Sequence, residues 1–389
     1  MIIFLKKISP ANFKTVVFLT FLWRLLVFSI AVLGYFILFQ KYAPPPLLGL
    51  PWKENFLFWS WANFDAEHFF HIAEFGYGYN RGLPTFSFFP LYPLILRFLG
   101  KIFSDYFLAG QTVIFVLLPL TIYFLNRFLK EQGISNKEIW LTDLLFLLSP
   151  GAVFLNAFYT ELPFLFFIIT SLFLLEKKRY WSASLLGLFA SATRVVGIFI
   201  VPAIFWQLLK EKRVPWLKKT LLVFLPSLGL VSYSLFLGLK FGSPLLFGLS
   251  HQAWGKAQIV SPIKTLINYF STVFFPPFNL SWLNYYTVLI ELLVALLALV
   301  SFIYLWRQAF IKREVKPVLI FSTLAFVLPL LTGSLGTMPR YLLTFLALFP
   351  FWASIFGKIK PTFCFILLGL IFFIFVSGVI LFTRGYWWG

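Results

Sequence analysis

Asp65, Glu67, Glu74, His68 and His71 fall within ten residues of one another, in Phe64-Asp65-Ala66-Glu67-His68-Phe69-Phe70-His71-Ile72-Ala73-Glu74. The whole 389-residue chain holds only thirteen carboxylates and three histidines. A carboxylate and an imidazole three residues apart have the parts of a proton-handling site. If the stretch is helical, 100° per residue places Asp65, His68, Phe69 and Ile72 on one face and Glu67, His71 and Glu74 on the opposite one. The competing reading is the solvated face of a helix lying on a membrane surface. Glu67, His71 and Glu74 offer a set of ligands for one divalent cation, but histidine-box metal enzymes need many more histidines than three. No metal and no other cofactor is therefore expected. No HExxH motif, Walker-type glycine loop or GxSxG elbow occurs. Zinc proteolysis, nucleotide hydrolysis and serine hydrolysis lose their usual support.

The elements that position these residues are membrane helices. Hydrophobic residues make up 60% of the chain and charged residues 12%, about half the charged share of an ordinary soluble domain. This composition excludes a soluble globule, and 54 Phe and 14 Trp exclude a disordered chain. Cys364 is the single cysteine, so the chain has no internal disulfide. Apolar segments run at about 13–40, 107–129, 138–156, 159–176, 181–193, 194–209, 217–239, 282–306, 317–332, 341–357 and 361–383. Six short loops between them carry twenty of the 32 basic residues. They begin with Lys6, Lys7 and Lys14 and continue through clusters such as Lys177-Lys178-Arg179 and Lys210 to Lys219.

The positive-inside rule makes all six loops, and the N-terminus, cytoplasmic. The net charge of +19 is thus topological and argues against nucleic acid as a partner. Because both flanks of 181–209 are basic, this stretch must turn back, and the turn is placed near Thr193-Arg194-Val195-Val196-Gly197. The expected architecture is an all-α polytopic membrane protein with about eleven spans, forming one domain over 1–389 without a separate soluble part. The first span is too long for a signal-peptide core and is read as a retained anchor. Tyr386-Trp387-Trp388 is read as an interfacial aromatic anchor. Two outer segments, 41–106 and 240–281, are long enough to be functional. They contain amphipathic stretches near 54–75, 86–100 and 261–275 that are expected to lie along the interface.

Asp65-Ala66-Glu67-His68-Phe69, Ile72-Ala73-Glu74, Gly76-Tyr77 and Phe88-Phe89-Pro90-Leu91-Tyr92-Pro93 together resemble the signature of the PIG-V-type mannosyltransferases. Ser149-Pro150-Gly151-Ala152 with Tyr159-Thr160-Glu161 is similar to a further motif of that family, and Ala192-Thr193-Arg194 and Pro339-Arg340-Tyr341 match more loosely. The resemblance spans most of the chain, and its specific part is Asp65 to Pro93. One departure is Phe64, where the family usually has Trp. The resemblance implies a GT-C fold, a catalytic carboxylate at Asp65 in the first outer loop, and a polyprenyl- or dolichyl-phosphate sugar as donor. The implied acceptor is a glycolipid or another extracytoplasmic glycan.

The chemistry agrees with so few acid–base groups. A lipid phosphate is a weak base and leaves without a general acid, so one carboxylate acting on the acceptor hydroxyl suffices, a contribution of about 10²–10⁴-fold. Direct attack inverts the anomeric centre through an oxocarbenium-like state, so a β-linked mannosyl phosphate gives an α-mannoside. Asp65 is the expected base, with Glu67 or His68 orienting it or touching the sugar. The phosphate needs fixed positive charge, for which Arg194, Arg340, His251 and Lys256 are the outer-side candidates. Glu161 is kept as a substrate-binding candidate, although an acid at a helix start is also favoured by the dipole. Arg24, Asp143 and Glu291 lie deeper and are left outside the site. The rival reading is a transporter or flippase of a lipid-linked saccharide, whose key charges belong near mid-membrane. The lysine- and phenylalanine-heavy composition leads us to expect a prokaryotic cell membrane, with the site on its extracytoplasmic face.

Overall fold

Caps and prolines in the sequence set where the helices start. The computed structural model describes residues 9–41, 59–254 and 259–388. Helix α1 (Phe13–Ile37) begins at Asn12, whose side chain accepts from the amides of Lys14 and Thr15. Between α1 and the next long helix lie α2 (Asp65–Phe75), a hairpin of β1 (Tyr79–Asn80) and β2 (Leu83–Pro84), and α3 (Leu91–Phe103). Helix α4 (Tyr106–Glu131) starts at Asp105, which accepts from the Phe107 and Leu108 amides. Helix α5 (Asn136–Leu147) starts with a capping box between Ser135 and Glu138. Then come α6 (Glu161–Glu176), α7 (Tyr180–Thr193) and α8 (Ile200–Lys210).

Helix α9 (Trp216–Phe241) contains a tighter turn at Leu225–Ser227. It is followed by α10 (Pro262–Phe274), α11 (Trp282–Lys312), α12 (Pro317–Leu330), α13 (Met338–Leu342), α14 (Leu348–Phe356) and α15 (Pro361–Thr383). The β1–β2 hairpin is the only sheet among the described residues.

Five helices, α1, α4, α9, α11 and α15, are long and apolar enough to cross a membrane. Val195–Lys210 and Pro317–Leu330 are shorter apolar helices, and the protein is a multi-pass membrane protein. Several segments that read as single spans in the sequence are broken instead. The stretch 138–156 is α5 followed by a 3-10 turn, Pro150–Leu155. The stretch 341–357 divides between the end of α13 and α14. Irregular backbone at membrane depth persists only where protein covers it. Here Ala152, Val153, Phe154, Leu155, Phe345 and Leu346 are all buried. The expected reversal at Thr193–Gly197 is present as a break: α7 stops at Thr193, Arg194 is extended, and a 3-10 turn at Val195–Phe199 leads into α8. Amphipathic α3 and α10 form within 41–106 and 240–281. Residues 54–58 of the first predicted interfacial stretch lie outside the described residues.

The C-terminal aromatics correct the sequence reading. Trp388 is 1% exposed and its indole N–H donates to the Pro150 carbonyl at 2.9 Å. A Cβ on Gly378 of α15 would sit 2.6 Å from that indole, so only glycine lets the ring lie flat on the helix. Trp387 remains exposed, but Trp388 is a wedge in the core that supports the Pro150–Leu155 turn. The indole outweighs an interfacial position because it buries a large apolar surface and still finds a hydrogen-bond acceptor. Trp388→Ala is expected to cost about 3–5 kcal/mol of stability, read as a lower unfolding temperature of the purified full chain in detergent.

Candidate active site

Asp65 is the first residue of α2, and the backbone just before it is strained. Phe64 has φ +57° and ψ −114°, a conformation that costs an L-residue of order 1–3 kcal/mol. A staple from another part of the chain holds it there. The Tyr159 hydroxyl donates to the Asn63 carbonyl at 2.9 Å and accepts from the Asp65 amide at 3.2 Å, so it bridges the residues on either side of Phe64. The Phe158 amide donates to the Trp61 carbonyl at 3.2 Å, and the Asn63 side chain donates to the Phe382 carbonyl of α15 at 2.7 Å. The Phe64 ring packs against Phe382 and Trp387. An aromatic at 64 therefore holds the bend that aims Asp65, the role left open by the departure from the family pattern.

Four charged side chains meet at this point. Glu161, at the start of α6, is 2% exposed, and its Oε1 accepts from both Arg194 Nη1 and Arg340 Nε. Arg340, on α13, also donates from Nη1 to Asp65 Oδ2 at 2.6 Å. Its guanidinium lies over the Tyr159 ring at 4.6 Å and the Phe154 ring at 5.4 Å. Arg194 Nη1 is also 3.3 Å from Thr160 Oγ1, and its guanidinium stands over Phe164 and Tyr341. Two guanidiniums and two carboxylates make the cluster neutral. Asp65 is its open edge: the side chain is 24% exposed and Oδ1 has no partner among the described residues. Burial would raise the Asp65 carboxyl, but Arg340, through its charge and hydrogen bond, holds it below its ordinary value of 3.8, with His68 and Arg194 adding to the effect.

Glycine at 151 allows Arg340 to reach this place. A Cβ there would come within 2.1 Å of the Pro339 carbonyl oxygen, so the Pro150–Leu155 turn and α13 touch backbone to backbone. The turn leans on Trp388 on its other side.

Glu67 and His68 of the Asp65–Glu74 cluster face the hairpin. Asn80-Arg81-Gly82 closes it, with positive φ at both Arg81 (52°) and Gly82 (78°) and pairing of Asn80 with Leu83, the geometry of a two-residue type I′ turn. The closed hairpin brings Asn80 Nδ2 to 3.1 Å from His68 Nδ1, and Arg81 Nη1 to 3.4 Å from Glu67 Oε2. Glu67 Oε1 is 3.8 Å from His68 Nε2. The His68 ring stacks on Phe88 at 5.0 Å. Burial pushes the His68 imidazole below its ordinary pKa against the pull of Asp65 and Glu67, so it is neutral near pH 7.

The solvated-face reading of α2 fails: Ala66, Glu67, His68, Phe69, Phe70, Ile72 and Ala73 are buried, and among its acids Glu74 is exposed. The two-face division also fails in part, because the hairpin covers the side that bears Glu67. Arg97 of α3 closes the far end of α2 by donating to the Ile72 and Ala73 carbonyls at 2.9 and 2.7 Å.

The structure thus brings Asp65, Glu161, Arg194 and Arg340 into one cluster, with Glu67 and His68 adjoining it on α2. His251 stands elsewhere, on a 3-10 turn (Ser250–Trp254) that packs against β2. Lys256 lies outside the described residues. Among the described residues, no group of three or more His, Cys, Asp or Glu is arranged to hold a metal ion. Asp143 accepts from Asn126 at 2.8 Å and Arg24 donates to Gln111 at 2.9 Å, both in other parts of the bundle. Sequence reasoning missed Tyr159 as a staple, Asn80 and Arg81 as the partners of His68 and Glu67, and Gly151 as a close contact. The Asn-Arg-Gly turn was the one local signal that could have revealed the hairpin.

Residues 12–326 match the family described as Mannosyltransferase (PIG-V). The chain belongs to this family. It is 32% identical over 152 residues to "GPI alpha-1,6-mannosyltransferase 2" of Homo sapiens, an alignment covering 36% of this chain and 30% of the relative. It is 31% identical over 151 residues to the same-named protein of Cricetulus griseus, covering 36% and 30%. With "GPI mannosyltransferase 2" of Schizosaccharomyces pombe the identity is 29% over 146 residues, covering 37% and 31%. The chain spans less than a third of the length of these curated relatives. The crystal structure of ArnT from Cupriavidus metallidurans bound to undecaprenyl phosphate aligns with 93% of this chain and 76% of that one, with a TM-score of 0.51 and 12% identity. The shared fold is of the GT-C type.

Two outcomes follow from this geometry. Gly151→Ala forces the turn away from Pro339 and is expected to destabilise the protein by about 1–3 kcal/mol, read by thermal unfolding. The Asp65 carboxyl is lower in the folded chain than its ordinary value, so its ion pair contributes fully above pH 3.8. That contribution is lost as pH falls through the depressed value. Unfolding temperatures taken down this range should fall less steeply in Asp65→Asn than in the wild type.

Proposed function

We propose that this protein is a membrane mannosyltransferase that takes its sugar from a polyprenyl- or dolichyl-phosphate donor. It transfers the sugar with inversion to a hydroxyl of a glycolipid or other glycan acceptor. The observation that carries this reading is the junction of a part-exposed carboxylate, Asp65, with a pair of enclosed guanidiniums, Arg194 and Arg340. One part is a base and the other is an anion clamp suited to a leaving phosphate. The relatives' name supports mannose as the sugar, and the ArnT structure, bound to undecaprenyl phosphate, supports a lipid phosphate as the carrier.

In the transfer step, the acceptor oxygen bonds to the anomeric carbon as the carbon–oxygen bond to phosphate breaks. The hydroxyl proton passes to Asp65 Oδ1, and the bonding pair leaves with the lipid phosphate on the arginines. His68, neutral and stacked on Phe88, fixes the wall beside Asp65 and offers a hydrogen bond to the sugar or acceptor. Glu67, tied to Arg81, holds the hairpin over that wall. The chemistry calls for no cofactor.

The site belongs on the extracytoplasmic face, with the N-terminus cytoplasmic. Glu161 and Lys177 stand at opposite ends of α6, and Arg194 and Arg179 at opposite ends of α7. Sixteen and fourteen residues of helix separate the cluster by about 20–25 Å from a loop whose basic charge favours the cytoplasm.

Asp65→Asn preserves the size and most of the contacts of the side chain. In vesicles supplied with polyprenyl-phosphate mannose and an acceptor extract from the host membrane, this variant is expected to lower transfer by about 10²–10⁴-fold while still binding the donor. Unchanged transfer refutes the assignment of Asp65 as base.

A further inference from the structure

Arg340 serves two carboxylates with two different edges. Its Nε is directed to Glu161, in the interior, while Nη1 lies on Asp65 at the open edge of the cluster. In this state the base of the reaction is neutralised by one of the cations assigned to the leaving phosphate. A donor phosphate reaching that cation must compete with Asp65 for it, and the open Nη1 edge is where the competition takes place.

We propose that Glu161 is a positioning residue whose grip on Arg340 lets the donor's phosphate displace Asp65 from that arginine, so that Asp65 becomes a working base only once the donor is seated. This inference rests on the reaction proposed above and adds to it an order of events. Glu161 holds Arg340 by Nε and Arg194 by Nη1 through the single oxygen Oε1. The Tyr159 and Phe154 rings lie under the Arg340 guanidinium. The cation is therefore fixed before the donor arrives and stays fixed when its outer partner changes.

For Asp65 the change has one direction. It loses a contacting cation and gains a nearby anion, and both favour its protonated form. It thus becomes the stronger proton acceptor in the donor complex and stays a weak one without it. A weak base in the donor-free site protects the donor-binding step from premature proton traffic.

The other charged groups near Asp65, His68 and Arg194, favour its ionised form with and without the donor, so they lower its pKa in both states and do not cancel the change. On its own helix, burial favours the neutral form of His68. From the segment before α6, Tyr159 contacts the Asp65 backbone amide and not its carboxylate. Beyond α7, Arg194 remains with Glu161 and Thr160. The sugar-bearing phosphate is a diester and does not titrate near neutral pH.

The test uses the wild-type chain in nanodiscs. Rates of mannosyl transfer are measured from below pH 3.8, the ordinary value that Asp65 falls under, up to neutral pH at saturating acceptor, giving kcat and kcat/KM for polyprenyl-phosphate mannose. The acid limb of kcat/KM reports Asp65 before the donor binds, and that of kcat reports it in the donor complex. The kcat limb is expected to lie about 1–3 pH units above the kcat/KM limb, the effect of removing a neighbouring opposite charge. Coincident limbs overturn the proposal, as does a kcat limb at lower pH.

Glu161→Gln leaves Arg340 with Asp65 as its one carboxylate partner, so its two limbs should close together. Limbs that stay apart in this variant remove Glu161 from the coupling. Calorimetry of donor binding near pH 5 in two buffers gives a readout without turnover. Proton uptake is expected in the wild type and not in Asp65→Asn; binding without uptake overturns the coupling alone. A chain that neither binds nor uses the donor overturns the reaction itself.

Discussion

A buried carboxylate with two guanidiniums on one oxygen sets the terms for the rest of this molecule. Glu161 is 2% exposed, and an unpaired charge there would cost several kcal/mol. Three separate pieces of chain must therefore arrive together: the start of α6, the break after α7 and the short helix α13. Each has a device that delivers it. Arg194 is placed by a helix that stops and turns extended. Arg340 is placed by α13, which packs backbone to backbone on Gly151, and the Pro150–Leu155 turn is itself seated on Trp388. The break in the 138–156 segment, costly in lipid, is what brings that turn to the cluster.

Asp65 is held by a different principle. Its position comes from a strained residue, Phe64, tied on both sides by the Tyr159 hydroxyl. Such strain persists only where the surroundings over-determine it, and here both the staple and the aromatic packing come from other helices. The stretch from Phe158 to Glu161 thus sets the backbone direction of Asp65 and, through Glu161, the position of the two guanidiniums. The carboxylate and the guanidiniums share one structural origin, which keeps their separation constant.

Much of this was legible in the sequence wherever a rare residue type or a charge rule carried the signal. The crowding of acids and histidines at Asp65–Glu74 pointed to the segment that contributes Asp65 to the four-charge cluster. The basic flanks of 181–209 required a break near Arg194, and it is there. The outer-face assignment brought Glu161, Arg194 and Arg340 to one list before any contact was known. What stayed hidden depends on long-range packing. Helical periodicity divided Glu67 from His68, but a hairpin folded over α2 buries both, and burial is not a local property. Tyr159 stood in a family motif without an assigned role, because its two hydrogen bonds go to backbone nearly a hundred positions away. Trp388 read as an anchor because aromatics near a span end usually are anchors. Its true place depends on the small size of Gly378 and on the Pro150 carbonyl within reach of the indole N–H.

The neutrality of the four-charge cluster bears on how this site can vary through descent. Losing Glu161 by substitution leaves Arg194 without its carboxylate in a nearly dry enclosure, and losing any other member unbalances the charge of the cluster. The tolerated routes are paired: a lineage that gives up Arg194 has reason to weaken its reliance on Glu161, and one that changes Asp65 must find another use for Arg340. Change at one of these positions thus alters the demand on the others, so the four should tend to be inherited together.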